Sequence, residues 1–403
     1  MNERDVLIVS AVRTPFSRFG GALRDFPSIK LGAIVMKEVI ERVEVKPIEV
    51  DETYYGLSMI AEASLETDVP GRQATLLAGF PSHHLSLTLN RACCSSLSAL
   101  RLGYNAIKAG QVDIALAVGS DNMSRTPILA PGIRWGSRLG NVVLKDPLFE
   151  LGYPAFAPVA KDAGEVAVEF GITRDEQDQW ALESHLRYFK AFQEGKFRIG
   201  EELMAIEIPQ KDGPPILFTA DESPRADVTL EKLSKLPTVY GSPTVTAGNA
   251  PGLSTGATAI LLMSREKAEE KGLKPLANIL SSIASAAEPR YIASIPALTI
   301  LKALEKAGKN LKEMNLIEIN EAFAAMPLVS IKILSRETGE NIENLRKKTN
   351  VNGGAIAIGH PVGASALRIT MTLVYELMRR GGGIGVAAIC GGLAQGEGIV
   401  LKV

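Results

Sequence analysis

The feature that most constrains this chain is a pattern that occurs twice. A short apolar run leads to a reactive residue, then to an amphipathic helical stretch, then to a second apolar run. In the first occurrence Leu85–Leu89 reads as a strand, Cys93 follows, Ser95–Ala109 reads as a helix, and Asp113-Ile-Ala-Leu-Ala-Val-Gly119 reads as a buried strand ending at glycine. In the second, two glycine clusters bracket a short apolar stretch in Val351–Gly359 that reads as a strand. His360 follows, Pro361–Arg380 reads as a helix, and Gly385–Ile389 reads as a strand. Apolar runs of strand length alternating with helical spacing point to a layered α/β architecture. The repetition points to a duplicated α/β unit, two similar layered halves of one chain.

The remaining elements fit that frame. Val6–Val9, Ala257–Met263, Leu276–Ala286, Leu316–Ile319 and a segment near Ile399–Val403 read as strands; Ile29–Val43, Glu266–Lys271 and Pro296–Ala307 read as helices. Ser120–Thr244 departs from it. This section is loop-rich and studded with proline, with one strong helix, Thr173–Glu194, opened by the capping sequence Thr173-Arg-Asp-Glu. Long loops over a scaffold tend to be functional. The expected division is residues 1–120 with 245–272 as the first half, 121–244 as an insertion over the active site, and 273–403 as the second half.

Composition excludes several functions. Lys plus Arg number 44 against 45 Asp plus Glu, for a formal net charge of −1, so no strongly basic surface for nucleic acid is expected. No apolar run reaches the roughly 18 residues of a membrane span. The chain opens almost directly on the apolar Val6–Val9, without the pattern of a signal peptide. Three cysteines, Cys93, Cys94 and Cys390, make no disulfide framework, and with four histidines they show no zinc-ligand spacing. The expectation is a cytoplasmic protein without a metal or a permanently bound cofactor.

Four segments carry chemistry. In Asn90-Arg-Ala-Cys-Cys-Ser-Ser-Leu97, Cys93 falls after a strand taken as buried and at the start of a helix, where exposed N–H groups favour a thiolate. A structural cysteine is the commoner fate of such a residue. His360 lies at a similar turn, and a Cys and a His so placed can form an activated pair. Cys390 ends a buried strand and precedes Gly391-Gly392, which let backbone N–H groups approach a substrate oxygen. Asn320-Glu-Ala-Phe323 follows a strand end, where α/β sheets place ligands, although Asn-Glu could simply cap a helix. His83 and His84 read as solvated loop residues, and His185 as a surface residue of the insertion helix.

Together, and in this order along nearly the whole chain, these segments resemble the thiolases. Asn-x-x-Cys-x-Ser matches Asn90–Ser95, Asn-Glu-Ala-Phe matches 320–323, Gly-Gly-Ala-Ile-Ala-x-Gly-His-Pro-x-Gly-Ala-Ser matches 353–365, and Cys-x-Gly matches 390–392. The resemblance implies an acyltransferase that cleaves 3-oxoacyl-CoA with coenzyme A or runs the reverse Claisen condensation. Cys93 would be the acyl-carrying nucleophile, His360 its base, and Cys390 the second acid/base. Asn320 would hold a water that, with His360, forms one oxyanion hole; the N–H groups of Cys93 and Gly392 would form the other. Arg225, Ala250, Pro251, Phe323 and Ile292 fall where the family contacts CoA or the acyl group. Thiolases assemble as dimers or dimers of dimers, so a homodimer or tetramer is implied. A decarboxylating ketosynthase and an inactive scaffold subunit are the alternatives.

The chain also departs from the family. Cys93-Cys-Ser-Ser96 stands for Cys-Gly-Ser-Gly, and Pro158-Val-Ala-Lys-Asp-Ala-Gly164 stands where a His-Met-Gly stretch is usual. Pro251 replaces a serine, Ser254-Thr-Gly256 replaces Asn-Asp-Gly, and Ile292-Ala-Ser-Ile-Pro296 replaces Met-Gly-x-Gly-Pro. These changes spare the proton-handling residues and alter the pocket. They point to an unusual branched or aromatic acyl group, such as that of benzoylsuccinyl-CoA, whose thiolase works with a small zinc-containing partner subunit. Neutral drift in an ordinary acetoacetyl-CoA thiolase is the competing expectation.

Overall fold

The computed structural model describes residues 4–149, 153 and 155–403. Its strands are β1 (Val6–Arg13), β2 (Ser17–Arg18), β3 (Glu52–Leu57), β4 (Leu85–Leu89), β5 (Ile114–Asn122), β6 (Ile206–Ile208), β7 (Ile216–Phe218), β8 (Ser254–Ser264), β9 (Ala277–Ala286), β10 (Leu316–Ile319), β11 (Ile384–Gly391) and β12 (Gln395–Lys402). The central sheet has ten strands in the order β10-β11-β12-β9-β1-β8-β5-β3-β4, with β2 paired to β8; β6 and β7 form a separate hairpin. Pairing is parallel at the two ends, β3 with β4 and β5, and β10 with β11. It is antiparallel through the middle. The centre is held by two register pairs, Leu7↔Asn278 and Ile8↔Ala277.

Most strands are buried on both faces, which explains their uninterrupted apolar runs. The period of two then sorts residues between layers. Ile8, Ala115, Ala117, Ile260, Leu262, Ala387, Ile389 and Ile399 point to a shared core with Leu97, Leu100 and Ile107 of the helix Ser95–Lys108 and Leu367, Ile369 and Leu373 of the helix Ser365–Arg379. Their neighbours Leu7, Val9, Leu116, Leu261 and Met263 point the other way, to the helix Ser28–Glu41. Val386, Ala388 and Val400 face the helices Ile295–Ala307 and Ala325–Thr338. The two central helices are those that follow Cys93 and His360, so one core layer fixes the position of both.

Several expectations need correction. The stretch between the glycine clusters is a helical turn, Ala355–Ile358, not a strand, and Gly359 ends it at φ +105°. Four apolar residues cannot distinguish the two by periodicity. The next helix begins at Ser365 rather than Pro361, because residues 361–364 form the turn that carries His360 inward. β4 is a part-exposed edge strand, with Leu85 66% and Leu87 46% accessible, not a buried one. The insertion holds a second helix, Val159–Glu169, beside the expected one at Arg174–Gln193 with its Thr173/Glu176 capping box. His84 is buried against Thr53 Oγ1 at 2.8 Å and the Val50 carbonyl at 3.1 Å, and burial pulls its pKa down to about 4. His185 is also buried, its Nδ1 accepting from the Arg225 N–H at 3.2 Å. The described residues contain no helix long and apolar enough to cross a membrane.

The insertion is tied to the sheet by a buried charge cluster. Arg13, at the end of β1, donates through Nε to Glu202 at 2.7 Å and through Nη1 and Nη2 to Asp221 at 2.7 and 3.0 Å. All three residues are buried, and Asp221 also accepts from the Phe16 N–H at 2.7 Å. Removing the cation leaves two carboxylates in the interior, a loss of about 3–5 kcal/mol. Arg13→Met is therefore expected to lower the urea midpoint by an amount equivalent to that loss; an unchanged midpoint would show that the cluster carries no stability.

Candidate active site

Cys93 sits just ahead of the helix Ser95–Lys108, on a turn whose geometry the local sequence dictates. The Asn90 side chain accepts from the Ala92 N–H at 2.8 Å, and Ser95 Oγ accepts from the Arg91 N–H at 2.8 Å while donating to the Ala92 carbonyl at 2.7 Å. Ala92 is held in the left-handed region at φ +47°, which is uncommon for a residue with a side chain.

His360 Nε2 lies 3.4 Å from Cys93 Sγ. On its far side, Nδ1 lies 2.6 Å from Ser365 Oγ, whose own hydroxyl donates to the Pro361 carbonyl at 2.8 Å. Because that hydroxyl proton is committed, Ser365 Oγ accepts, and Nδ1 carries the imidazole proton. The lone pair of Nε2 therefore faces the thiol. The backbone is fixed as well: the His360 N–H donates to Ser254 Oγ at 3.0 Å.

Burial dominates the electrostatics here. It pushes the Cys93 thiol up to about 12 and pulls His360 down to about 3, the latter aided by the nearby Arg368 charge. The expected thiolate at a helix start is thus not the resting form; the pair rests as thiol and neutral imidazole. Cys390, at the end of β11, is also buried and held well above the usual thiol range. All three cysteines are free.

Cys93, His360, Cys390 and Gly392 line one cavity of about 430 Å³, together with Pro251, Phe323 and Ile292. Ala250, Arg225 and Asn320 are not among its lining residues. Ala250 packs on the core of the second half, and Arg225 is exposed. Asn320 is fully buried; its Oδ1 accepts from Arg368 Nη2 at 3.4 Å, and its Nδ2 has no partner among the described residues. Arginine has only donors, so it fixes the amide with its NH2 group turned away and free.

The sequence reading missed other wall residues. Tyr153 lies in the insertion without a spacing signal, yet its hydroxyl comes so close to Gly392 that a Cβ there would meet it at 1.8 Å. Tyr153 also lines a neighbouring cavity of about 1040 Å³. Leu393 lines the catalytic cavity with a left-handed backbone, φ +58°, and Ala394 follows at +52°.

The thiolase N-terminal domain family matches residues 6–266, and the thiolase C-terminal domain family matches residues 273–403. The chain belongs to the thiolase family. It is 41% identical to the acetyl-CoA acetyltransferase of Chromobacterium violaceum over 404 aligned residues, covering 99% of both chains. It is 40% identical to that of Pseudomonas aeruginosa, again covering 99% of both. Among solved structures, human mitochondrial 3-ketoacyl-CoA thiolase in complex with CoA superposes with a TM-score of 0.91 at 36% identity, covering 99% of this chain and 98% of that one. The Bacillus anthracis acetyl-CoA acetyltransferase gives 0.92 at 36%, covering 99% of each. Thiolases are acyltransferases that use CoA as a substrate, and this chain is such an enzyme.

Two outcomes follow for this thiolase. A pair resting in its neutral form lacks a preformed thiolate, since the raised thiol pKa and the lowered imidazole pKa both keep it uncharged across pH 5–9. Alkylation of Cys93 by iodoacetamide should then rise with pH without a plateau below pH 9; an inflection near pH 6–7 would instead mark a thiolate–imidazolium pair. Leu393→Gly relieves about 1–2 kcal/mol of left-handed strain against about 0.5–1 kcal/mol of added chain entropy. Its urea midpoint should not fall, while its cavity opens to larger acyl groups; a clear loss of stability would mean that Leu393 packing outweighs the strain.

Proposed function

We propose that the chain cleaves a 3-oxoacyl-CoA with coenzyme A, or runs the reverse condensation, through an acyl thioester on Cys93. The observation that carries this reading is the 3.4 Å approach of His360 Nε2 to Cys93 Sγ. His360 takes the thiol proton as Sγ bonds to the 3-oxo carbon. The C2–C3 bond then breaks as the C3 carbonyl re-forms, leaving the acyl group on Cys93, and the electron pair leaves as the enolate of acetyl-CoA or its 2-substituted homologue, which Cys390 protonates at C2. CoA enters, its thiol proton passes to Cys390, and its sulfur bonds to the acyl carbon. The bond to Cys93 breaks, and His360 returns the proton.

Asn320, through a water held on its free Nδ2, would with His360 stabilise one developing oxyanion. The N–H groups of Cys93 and Gly392 would stabilise the other; one such donor is typically worth about 2.7–4 kcal/mol of barrier. Arg225, Ala250, Pro251, Phe323 and Ile292 are assigned to CoA and acyl contacts. The chain is read as two thiolase halves, 1–120 with 245–272 and 273–403, with 121–244 inserted over the site.

The acyl group is proposed to be bulky, branched or aromatic, of the benzoylsuccinyl type. Supporting this are the apolar wall residues Met59, Met123, Leu253, Val362 and Leu393, and the adjoining larger cavity that shares Tyr153. The names of the relatives favour a second reading, an acetoacetyl-CoA thiolase. A homodimer or tetramer is proposed, consistent with the exposed apolar edge at Leu85 and Leu87. The exposed Ile133, Trp135, Leu139 and Val143 of the insertion offer cover to a further copy or to a small zinc-containing subunit. Three free cysteines suit a reducing, cytoplasmic setting.

The test is thiolysis over a panel from acetoacetyl-CoA to aryl-substituted 3-oxoacyl-CoAs, with Cys93→Ala as control. Cleavage confined to bulky substrates and lost in the variant is the expected result. Preferred cleavage of acetoacetyl-CoA would select the second reading, and activity surviving in Cys93→Ala would reject the covalent route.

A further inference from the structure

We infer that Arg91 selects a substrate whose acyl portion bears a second carboxylate. The inference rests on the thiolase reading and narrows its substrate class. Among the described residues lining the catalytic cavity, Arg91 is the one with a permanently charged side chain; the rest of the wall is apolar, neutral polar or the catalytic set. It stands two residues from Cys93, so their Cα atoms are at most about 7.6 Å apart. Arg91 lines the same cavity as Cys93, so a group it binds belongs to the molecule held against the thiol.

The charge around Arg91 does not cancel. Its Nη1 pairs with Glu397, a fully buried carboxylate at the start of β12. The same carboxylate takes a second guanidinium, Arg101, through Nε at 3.0 Å, and a hydroxyl, Ser98 Oγ, at 2.6 Å. Among the described residues neither arginine has another carboxylate partner. Two cations on one anion leave one positive charge at the cavity edge. Glu397 already accepts from three side chains, while among the described residues the Nε and Nη2 hydrogens of Arg91 have no acceptor, and its side chain is 31% exposed.

A planar guanidinium anchored at one nitrogen presents its remaining N–H groups as a fork that suits a carboxylate. Pre-anchoring by Glu397 also removes part of the side-chain entropy that binding would otherwise cost. The fitting substrate has an apolar body for Met59, Met123 and Leu393 and a carboxylate for Arg91. A monocarboxylic acyl group would leave that charge uncompensated inside a part-desolvated cavity.

The experiment compares two CoA thioesters of equal carbon number, succinyl-CoA and butyryl-CoA, as protectants of Cys93 against iodoacetamide. It uses the wild-type chain, Arg91→Gln and Arg91→Lys, with thiolysis of 3-oxoadipyl-CoA and 3-oxohexanoyl-CoA as a second matched pair. Wild type should be half-protected at about tenfold less succinyl-CoA than butyryl-CoA, or lower still, with the same order in thiolysis. Arg91→Gln should bring the ratio to about one, and Arg91→Lys should keep part of it. Equal protection by the two thioesters in wild type would overturn the inference even if the variants fail to fold, as would an undiminished ratio in Arg91→Gln. Either result leaves the thiolase reading standing, provided Cys93 is protected at all. Absence of protection by any acyl-CoA, together with no thiolysis, would remove the thiolase reading and the inference with it.

Discussion

The carboxylate of Glu321 is the contact on which the geometry around His360 depends. It is fully buried and collects four donors: Trp180 Nε1 at 2.9 Å, Ser184 Oγ at 2.7 Å, Asn350 Nδ2 at 3.0 Å and the Ile356 N–H at 3.1 Å. These come from the insertion helix, the loop after the helix Ile342–Lys348, and the helical turn that leads into His360. A buried carboxylate without such partners is strongly destabilised, so the three segments hold the charge and the charge holds them. The Asn320-Glu321 pair thus has a divided task. Glu321 accepts from the Ile356 N–H of a turn 35 residues downstream rather than capping the helix that follows it, and Asn320 keeps its NH2 group free.

Magnitudes decide the resting state of the catalytic pair. A helix N-terminus favours an anion by about 0.3–1 kcal/mol, rising to about 2 in partly buried geometries. Raising a thiol from 9 to about 12 corresponds to about 4 kcal/mol in the opposite sense, so desolvation wins. Burial also lowers His360, with the Arg368 charge acting in the same direction. The thiolate therefore exists only once Nε2 has taken the proton. What the site supplies is orientation: Ser365 fixes the tautomer, and Ser254 fixes the backbone that carries the ring. A dry site with fixed dipoles is also where oxyanion donors act most strongly.

Much of this was legible in the sequence because strands buried on both faces write long apolar runs, as in Ile114–Asn122 and Ser254–Ser264. His360 and Cys390 were legible because glycines and a proline crowd around them, whereas Cys93 was legible by its place between a strand and a helix. What escaped was set by distant partners. His84 and His185 lie in polar surroundings along the chain, yet each is buried by segments remote in sequence. Ala355–Ile358 has strand composition but is held as a turn by Glu321, 35 residues before Ile356, whose N–H it accepts. Tyr153 and Arg91 carry no periodic signal. Their place on the cavity wall arises from the insertion and from the left-handed turn at Ala92.

Backbone strain marks the same surface. Of the six non-glycine residues with positive φ among the described residues, Ala92, Leu393 and Ala394 lie close in sequence to Cys93 or Cys390, and Asn350 supports Glu321. Such conformations cost of order 1–3 kcal/mol each and persist only where surroundings over-determine them. Here the surroundings are identifiable: the Asn90 and Ser95 hydrogen bonds hold Ala92, while the ladder of β11 with β12 encloses the turn at Leu393. A glycine at 393 would adopt that turn without strain, but it would place no side chain in the cavity. Leucine there fills part of the cavity at an energetic cost, beside Gly392, which the Tyr153 hydroxyl approaches. The cavity wall is thus shaped in part where the chain accepts strain, whereas Cys93, His360 and Cys390 themselves have no positive φ.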